Sequence, residues 1–270
     1  MKLAFSTLGS PDWSFDKTLE VAHRLGFEAI EIRGMEGKMH ADEITRFFPE
    51  NEAETKRKLK EYNLKICVFG TSVIFHDAEK YDSMIQEGKT AIDVCSRMEI
   101  PYIRVFGDKI PSAEIKDQVI ANVIRGIREL CSYARGKNVK VLQEVHGDFN
   151  TVENITAVIE GVKDCPEFGL VWDIAHSDRE YGDDYMEFYS WIKPYILHTH
   201  IKDHKRNNGK FDLCPVGEGD IPIRDIIKTL KADGYTGYFS FEWEKKWHPE
   251  LMDAEIVYQR YVEYMKSLDL

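Results

Sequence analysis

The residues most able to do chemistry lie in Tyr195 to Asp203, which reads Y-I-L-H-T-H-I-K-D. The run is apolar and strand-like, yet it carries two histidines, a lysine and an aspartate. In a strand, alternate side chains share a face, so His198, His200 and Lys202 point one way while Leu197, Thr199 and Ile201 point the other. Burying imidazoles and an ammonium is costly without a partner, and a metal ion or an anionic substrate is the usual one. Three further strand-like runs end in a carboxylate: Val139 to Glu144, Phe168 to Asp173 and Tyr238 to Glu242. Four strands ending in Glu144, Asp173, His200 and Glu242 suggest one shared site. Three carboxylates and one imidazole make an oxygen-rich donor set, which suits Mn²⁺, Co²⁺ or Mg²⁺ better than a thiolate-rich structural zinc site.

Such a site needs strands that open on one face. Lys2 to Ser6 reads as strand one, Ser14 to Leu25 as a Ser-capped helix closed by Gly26, and Ala29 to Ile32 as strand two. The segment Gly34 to Pro49 is irregular. A helix over about Glu50 to Tyr62 ends at Asn63 and leads to strand three at Lys65 to Phe69. The spacing then predicts a helix over Lys80 to Met98, a strand over Tyr102 to Phe106, a helix over Ser112 to Lys137 and a strand over Val139 to Val145. A helix over Thr151 to Gly161, a strand over Phe168 to Ile174 and a helix over Asp184 to Ile192 come next. After the histidine-bearing strand come a basic loop, a Gly217 to Asp220 turn, a helix over Pro222 to Asp233, a strand over Tyr238 to Trp243 and a last helix from Pro249.

Eight strands alternating with eight helices, with strands too apolar to have a wet face, predict a single-domain α/β fold, a (β/α)8 TIM barrel over residues 1–270. An open doubly wound sheet is the alternative, but no G-x-G-x-x-G follows strand one. In a barrel, Glu144, Asp173, His200 and Glu242 converge at the C-terminal mouth.

The chain's 270 residues carry a net charge of −11, which argues against a phosphate-tracking, nucleic-acid-binding surface. A small molecule is the expected partner. The five cysteines are scattered and never form C-x-x-C, so a reducing, cytoplasmic setting fits them. No apolar run approaches membrane length.

The chain resembles the xylose isomerase-like TIM barrels, the sugar phosphate isomerases and epimerases that include ketose 3-epimerases of the tagatose and psicose type. The likeness covers nearly the whole chain. It rests on Gly26 to Ile32 (G-F-E-A-I-E-I), Gln143 to His146, Trp172 to His176, His198 to Asp203, Gly217 to Asp220 and Phe241 to Trp243. It implies a divalent ion, Mn²⁺ foremost, held by Glu144, Asp173, His200 and Glu242. Glu144 and Glu242 double as the acid/base pair, and His176 and Arg206 match positions that hold substrate oxygens. Those epimerases carry a second glutamate six residues after the first; here that position is Asn150.

The remaining residues are read on their own terms. His146 and Lys202 share strand faces with Glu144 and His200 and are candidate substrate contacts. The basic stretch Lys202 to Lys210 is an anion-binding candidate or a solvated loop. Glu31 and Arg33 read as an ion pair closing the barrel at strand two, and Trp243 is a candidate apolar wall for a sugar ring. The segment Glu244 to Pro249 caps the site or faces a second subunit.

The expected function is a metal-dependent isomerase or epimerase of a keto sugar or polyol-derived ketone, acting through an enediolate. The alternative is a dehydratase or lyase on the same barrel, of the inositol-catabolism or 3-keto-C-glycoside-cleaving kind.

Overall fold

A computed structural model describes residues 1–270. Eight parallel strands close into a barrel: β1 (Lys2–Ser6), β2 (Ala29–Ile32), β3 (Lys65–Ile74), β4 (Tyr102–Phe106), β5 (Lys140–Glu144), β6 (Phe168–Asp173), β7 (Ile196–Ile201) and β10 (Tyr238–Phe241). The strands pair in chain order, and β10 closes the ring between β7 and β1. Two antiparallel strands, β8 (Asp203–Asn207) and β9 (Lys210–Cys214), form a separate hairpin directly after β7. The (β/α)8 architecture expected from the alternation is therefore the one observed.

The outer helices are α1 (Phe15–Leu25), α2 (Glu52–Glu61), α3 (Tyr81–Met98), α4 (Lys116–Ala134), α5 (Val152–Val162), α6 (Ile174–Tyr181), α7 (Tyr185–Ile192), α8 (Ile223–Ala232) and α9 (Ala254–Ser267). Local chemistry sets their ends. Ser14 caps α1 by accepting from the Lys17 amide, and Gly26 ends it at φ 86°, a left-handed conformation that costs glycine little. Thr151 caps α5 in the same way, through the Asn154 amide. Strands β2 and β6 are buried at every position, as parallel strands covered on both faces must be.

Four expectations about elements are corrected. Strand three runs on to Ile74 instead of ending at Phe69, because Gly70 still pairs with Arg104 and, past an irregularity, Ile74 pairs with Phe106. Helix α6 follows β6 with no intervening loop and was not expected. The basic loop is the β8–β9 hairpin, turned by Asn208 and Gly209, both at positive φ. The last helix begins at Ala254, five residues beyond Pro249.

Register carries this architecture to the site. Phe106 pairs with Glu144, Glu144 with Val171, Asp173 with His200, and His200 with Ser240. The ends of β5, β6, β7 and β10 thus stand side by side at one rim.

Candidate active site

Glu144, Asp173 and His200 end or line their strands, and Glu242 follows the last residue of β10. One donor atom from each lies within 4.8 Å of the others. His200 Nδ1 stands 3.5 Å from Glu144 Oε1, 3.7 Å from Asp173 Oδ2 and 3.5 Å from Glu242 Oε2. All four residues are buried. His200 Nδ1, Asp173 Oδ2 and Glu144 Oε2 make no protein hydrogen bond. Although Lys202 and Arg104 stand within ion-pair distance of Asp173 Oδ2 and Glu144 Oε2, His200 Nδ1 and three carboxylates converging from four strands fit a hard divalent cation.

The cluster is held from behind. Glu31 at the end of β2 accepts from His200 Nε2 at 2.9 Å and from His198 Nε2 at 2.8 Å, and Ser240 Oγ donates to it at 2.9 Å. This corrects the expected Glu31 to Arg33 ion pair. Glu31 sits in the layer of the two histidines and is used up by them, while Arg33 lies one layer higher and donates to Ser72 Oγ. Asp173 has a divided role: its Oδ1 accepts from the Ala175 and His176 amides, capping α6, which leaves Oδ2 to face the cluster. Strand end and helix start share one carboxylate.

Lys202 is buried among acids. Its Nζ lies 2.8 Å from Asp173 Oδ2, 2.6 Å from Glu242 Oε2 and 2.6 Å from Glu244 Oε1. Arg104, mid-strand in β4, places Nε 3.0 Å from Glu144 Oε2. These neighbours sort the acids. Burial pushes Glu144 upward, but His200 and Arg104 outweigh it and hold the carboxyl well below its ordinary range. Asp173 is likewise held low against burial, chiefly by Lys202. Glu242 goes the other way: burial, with Glu144 and Asp173 close by, raises it despite His200 and Lys202.

Two imidazoles complete one wall. His146 and His176 have ring centroids 4.2 Å apart. Burial takes His176 down to about 3 despite Asp173, so it is neutral near pH 7. His146 lies 3.1 Å from Asp108 Oδ1 and 5.0 Å, ring to ring, from Phe106. Burial opposes its protonation, but Asp108 and Glu144 raise it overall.

Arg206 stands farther out, on the hairpin. Its Nε donates to Asp178 Oδ2 at 3.1 Å and its Nη2 to Asp183 Oδ1 at 2.8 Å, and His204 Nε2 also meets Asp178, at 2.7 Å. Trp243 does not line the mouth. It is 2% exposed, stacks on Phe241 and donates to the Met252 carbonyl, which places it in the core. Asn150, at the departed glutamate position, is buried and hydrogen-bonded to the His176 carbonyl and Ser177. Arg104 is a site residue that the sequence reading did not single out, while Glu31 was assigned only to the barrel-closing ion pair and Glu244 only to the capping segment Glu244 to Pro249. For Arg104 a signal existed, since a lone arginine inside Y-I-R-V-F must face something polar.

The family model for the xylose isomerase-like TIM barrel matches residues 19–268. The chain is 28% identical over 265 residues to an inosose isomerase of Halalkalibacterium halodurans, covering 89% of this chain and 86% of that protein. It is 23% identical to a fructoselysine 3-epimerase of Shigella flexneri, covering 90% of each. The crystal structure of an IolI protein with a bound zinc atom superposes with a TM-score of 0.82 at 20% identity, over 99% of this chain and 98% of that one.

Proposed function

The chain belongs to the xylose isomerase-like TIM barrel family, and from that premise we propose that it is a divalent-cation-dependent isomerase or epimerase of a keto sugar or polyol-derived ketone. The observation that carries this reading is the convergence of Glu144, Asp173, His200 and Glu242, with donor atoms within 4.8 Å of one another. Relatives named inosose isomerase and fructoselysine 3-epimerase support the substrate class. The zinc of the IolI crystal supports a divalent ion. We assign Mn²⁺, with Co²⁺ or Mg²⁺ as substitutes, because the donors are mostly oxygen.

A divalent cation held by these four residues would polarise a substrate carbonyl and acidify the neighbouring C–H. Glu144, kept ionised by His200 and Arg104, takes that proton. Glu242, whose carboxyl is raised by burial, returns one from the other side of the resulting enediolate. The two acids differ because their neighbours differ, and that difference gives the pair a direction. Lys202 offsets the negative charge that develops, and His146 together with the neutral His176 orients the hydroxyls. Arg206 is the outermost substrate contact, held at the hairpin by Asp178 and Asp183.

No helix is long and apolar enough to cross a membrane. The five unpaired thiols support a cytoplasmic location in our reading.

The test is incubation of the Mn²⁺-loaded protein with a panel of ketoses and inososes in deuterium oxide. Deuterium at the carbon beside the carbonyl together with an isomeric or epimeric product supports the proposal. Loss of water or an aglycone with an alkene product replaces it with the lyase reading.

A further inference from the structure

Arg33, at the barrel mouth just beyond β2, is a largely buried cation that no carboxylate touches, although Glu242, Glu87 and Glu144 are near enough to act on it. Its one side-chain hydrogen bond runs from Nη2 to Ser72 Oγ at 3.2 Å. Nη1 is buried and bonds to nothing. Beside it stands a second guanidinium. A Cβ on Gly70 would come within 2.9 Å of Arg33 Cδ and 3.0 Å of Arg104 Nη2, so both arginines pack over the space that a missing side chain leaves. Arg104 is already engaged by Glu144, the Thr71 carbonyl and the face of Phe106. Burial and the charge of Arg104 bring Arg33 down to about 10 despite the opposing pull of Glu242, Glu87 and Glu144, which leaves it protonated at neutral pH.

Arg33 also lines a small cleft with Lys38, Lys246, Pro11, Met35 and Met39. Three cations and no acid line this space. It holds about 10 Å³, room for roughly one water-sized group. An unpaired guanidinium so placed has the geometry and charge to take an oxygen of a carboxylate. By contrast Arg206, where the sequence pointed for an anion, already has two aspartates.

We propose that Arg33, assisted by Lys246, is a subsite for a carboxylate carried by the substrate, so that the compound transformed at the cluster is a keto sugar acid rather than an uncharged sugar. This rests on the isomerase reading above and narrows its substrate class. A phosphate shares the charge, but the narrow cleft with one unbonded guanidinium nitrogen favours the smaller, singly charged carboxylate, which is the assignment.

The experiment is calorimetric titration of the Mn²⁺-loaded full chain with gluconate, sorbitol and sorbitol 6-phosphate, repeated for Arg33→Gln and Lys246→Gln. Gluconate is expected to bind at least about tenfold more tightly than sorbitol. That margin should collapse in Arg33→Gln and shrink in Lys246→Gln, while sorbitol affinity stays level. Thermal unfolding of each variant runs alongside, and Lys246→Gln carries the test if Arg33→Gln does not fold. Equal binding of gluconate and sorbitol overturns the subsite and leaves the isomerase reading standing. A gluconate preference that survives both substitutions places its carboxylate elsewhere and also overturns it. An Arg33-dependent preference for sorbitol 6-phosphate alone replaces the carboxylate with a phosphate. If none of the three binds, the subsite is overturned, and the isomerase reading is judged by the ketose and inosose panel in deuterium oxide.

Discussion

Glu31 and His200 meet at 2.9 Å through the histidine's Nε2, which turns Nδ1 toward three carboxylates. They are far apart in the chain, and β1 and β10 lie between their strands in the barrel. The same carboxylate holds His198, so Glu31 fixes two rings at once. Glu31→Gln keeps the shape but removes the charge that favours the required tautomer. We predict a loss of roughly 10- to 100-fold in Mn²⁺ affinity, measured by calorimetry, with the fold retained by circular dichroism.

Lys202 competes with any cation for Asp173 Oδ2 and Glu242 Oε2. Replacing it by methionine removes a like charge from the edge of the cluster. Lys202→Met should therefore bind Mn²⁺ about tenfold more tightly while turnover falls. Weaker binding in this variant would show that the ammonium supports the cation centre instead of opposing it.

Asn150 stands where the resemblance to ketose 3-epimerases leads one to expect a glutamate, but its side chain is spent on the His176 carbonyl and Ser177. It is 5% exposed. Asn150→Glu would bury a carboxylate with no cationic partner, and the expected cost is about 3 kcal/mol or more in urea unfolding, with no gain in turnover. A stable variant with raised epimerase activity would restore that position to the chemistry.

The pH dependence of the hairpin clamp follows from Asp178. Burial raises its carboxyl, but hydrogen bonds from His204 and Arg206 outweigh this and hold it below its ordinary value. A depressed carboxyl contributes stability that is present above the unfolded value of about 3.9 and disappears as the pH falls through the lower folded value. Asp178→Asn should thus be less stable than the parent between about pH 5 and 7, and the gap should close on acidification below that range. A gap that stays constant to low pH would mean that the aspartate's charge contributes nothing.

The barrel was legible because its signals are local: apolar strands, capped helices and carboxylates at strand ends recur along the chain. The convergence of Glu144, Asp173, His200 and Glu242 followed once the strands were taken to close. What escaped depended on partners that are distant in sequence. Glu31 was paired with Arg33 because the two are neighbours in the chain, whereas the barrel brings β2 level with the histidines of β7. The pairing of Arg206 with Asp178 escaped because Asp178 lies on α6, far from the hairpin in sequence. That helix was itself hidden, since its N-cap is Asp173, already counted as a strand end.

The most direct test of the cation centre is calorimetric titration of Mn²⁺ into chelator-stripped protein, with Glu144→Gln, Asp173→Asn, His200→Asn and Glu242→Gln compared with the parent. The account predicts one ion per chain and a loss of roughly a hundredfold or more in affinity in each variant. Full-strength binding in any two of the four would contradict it.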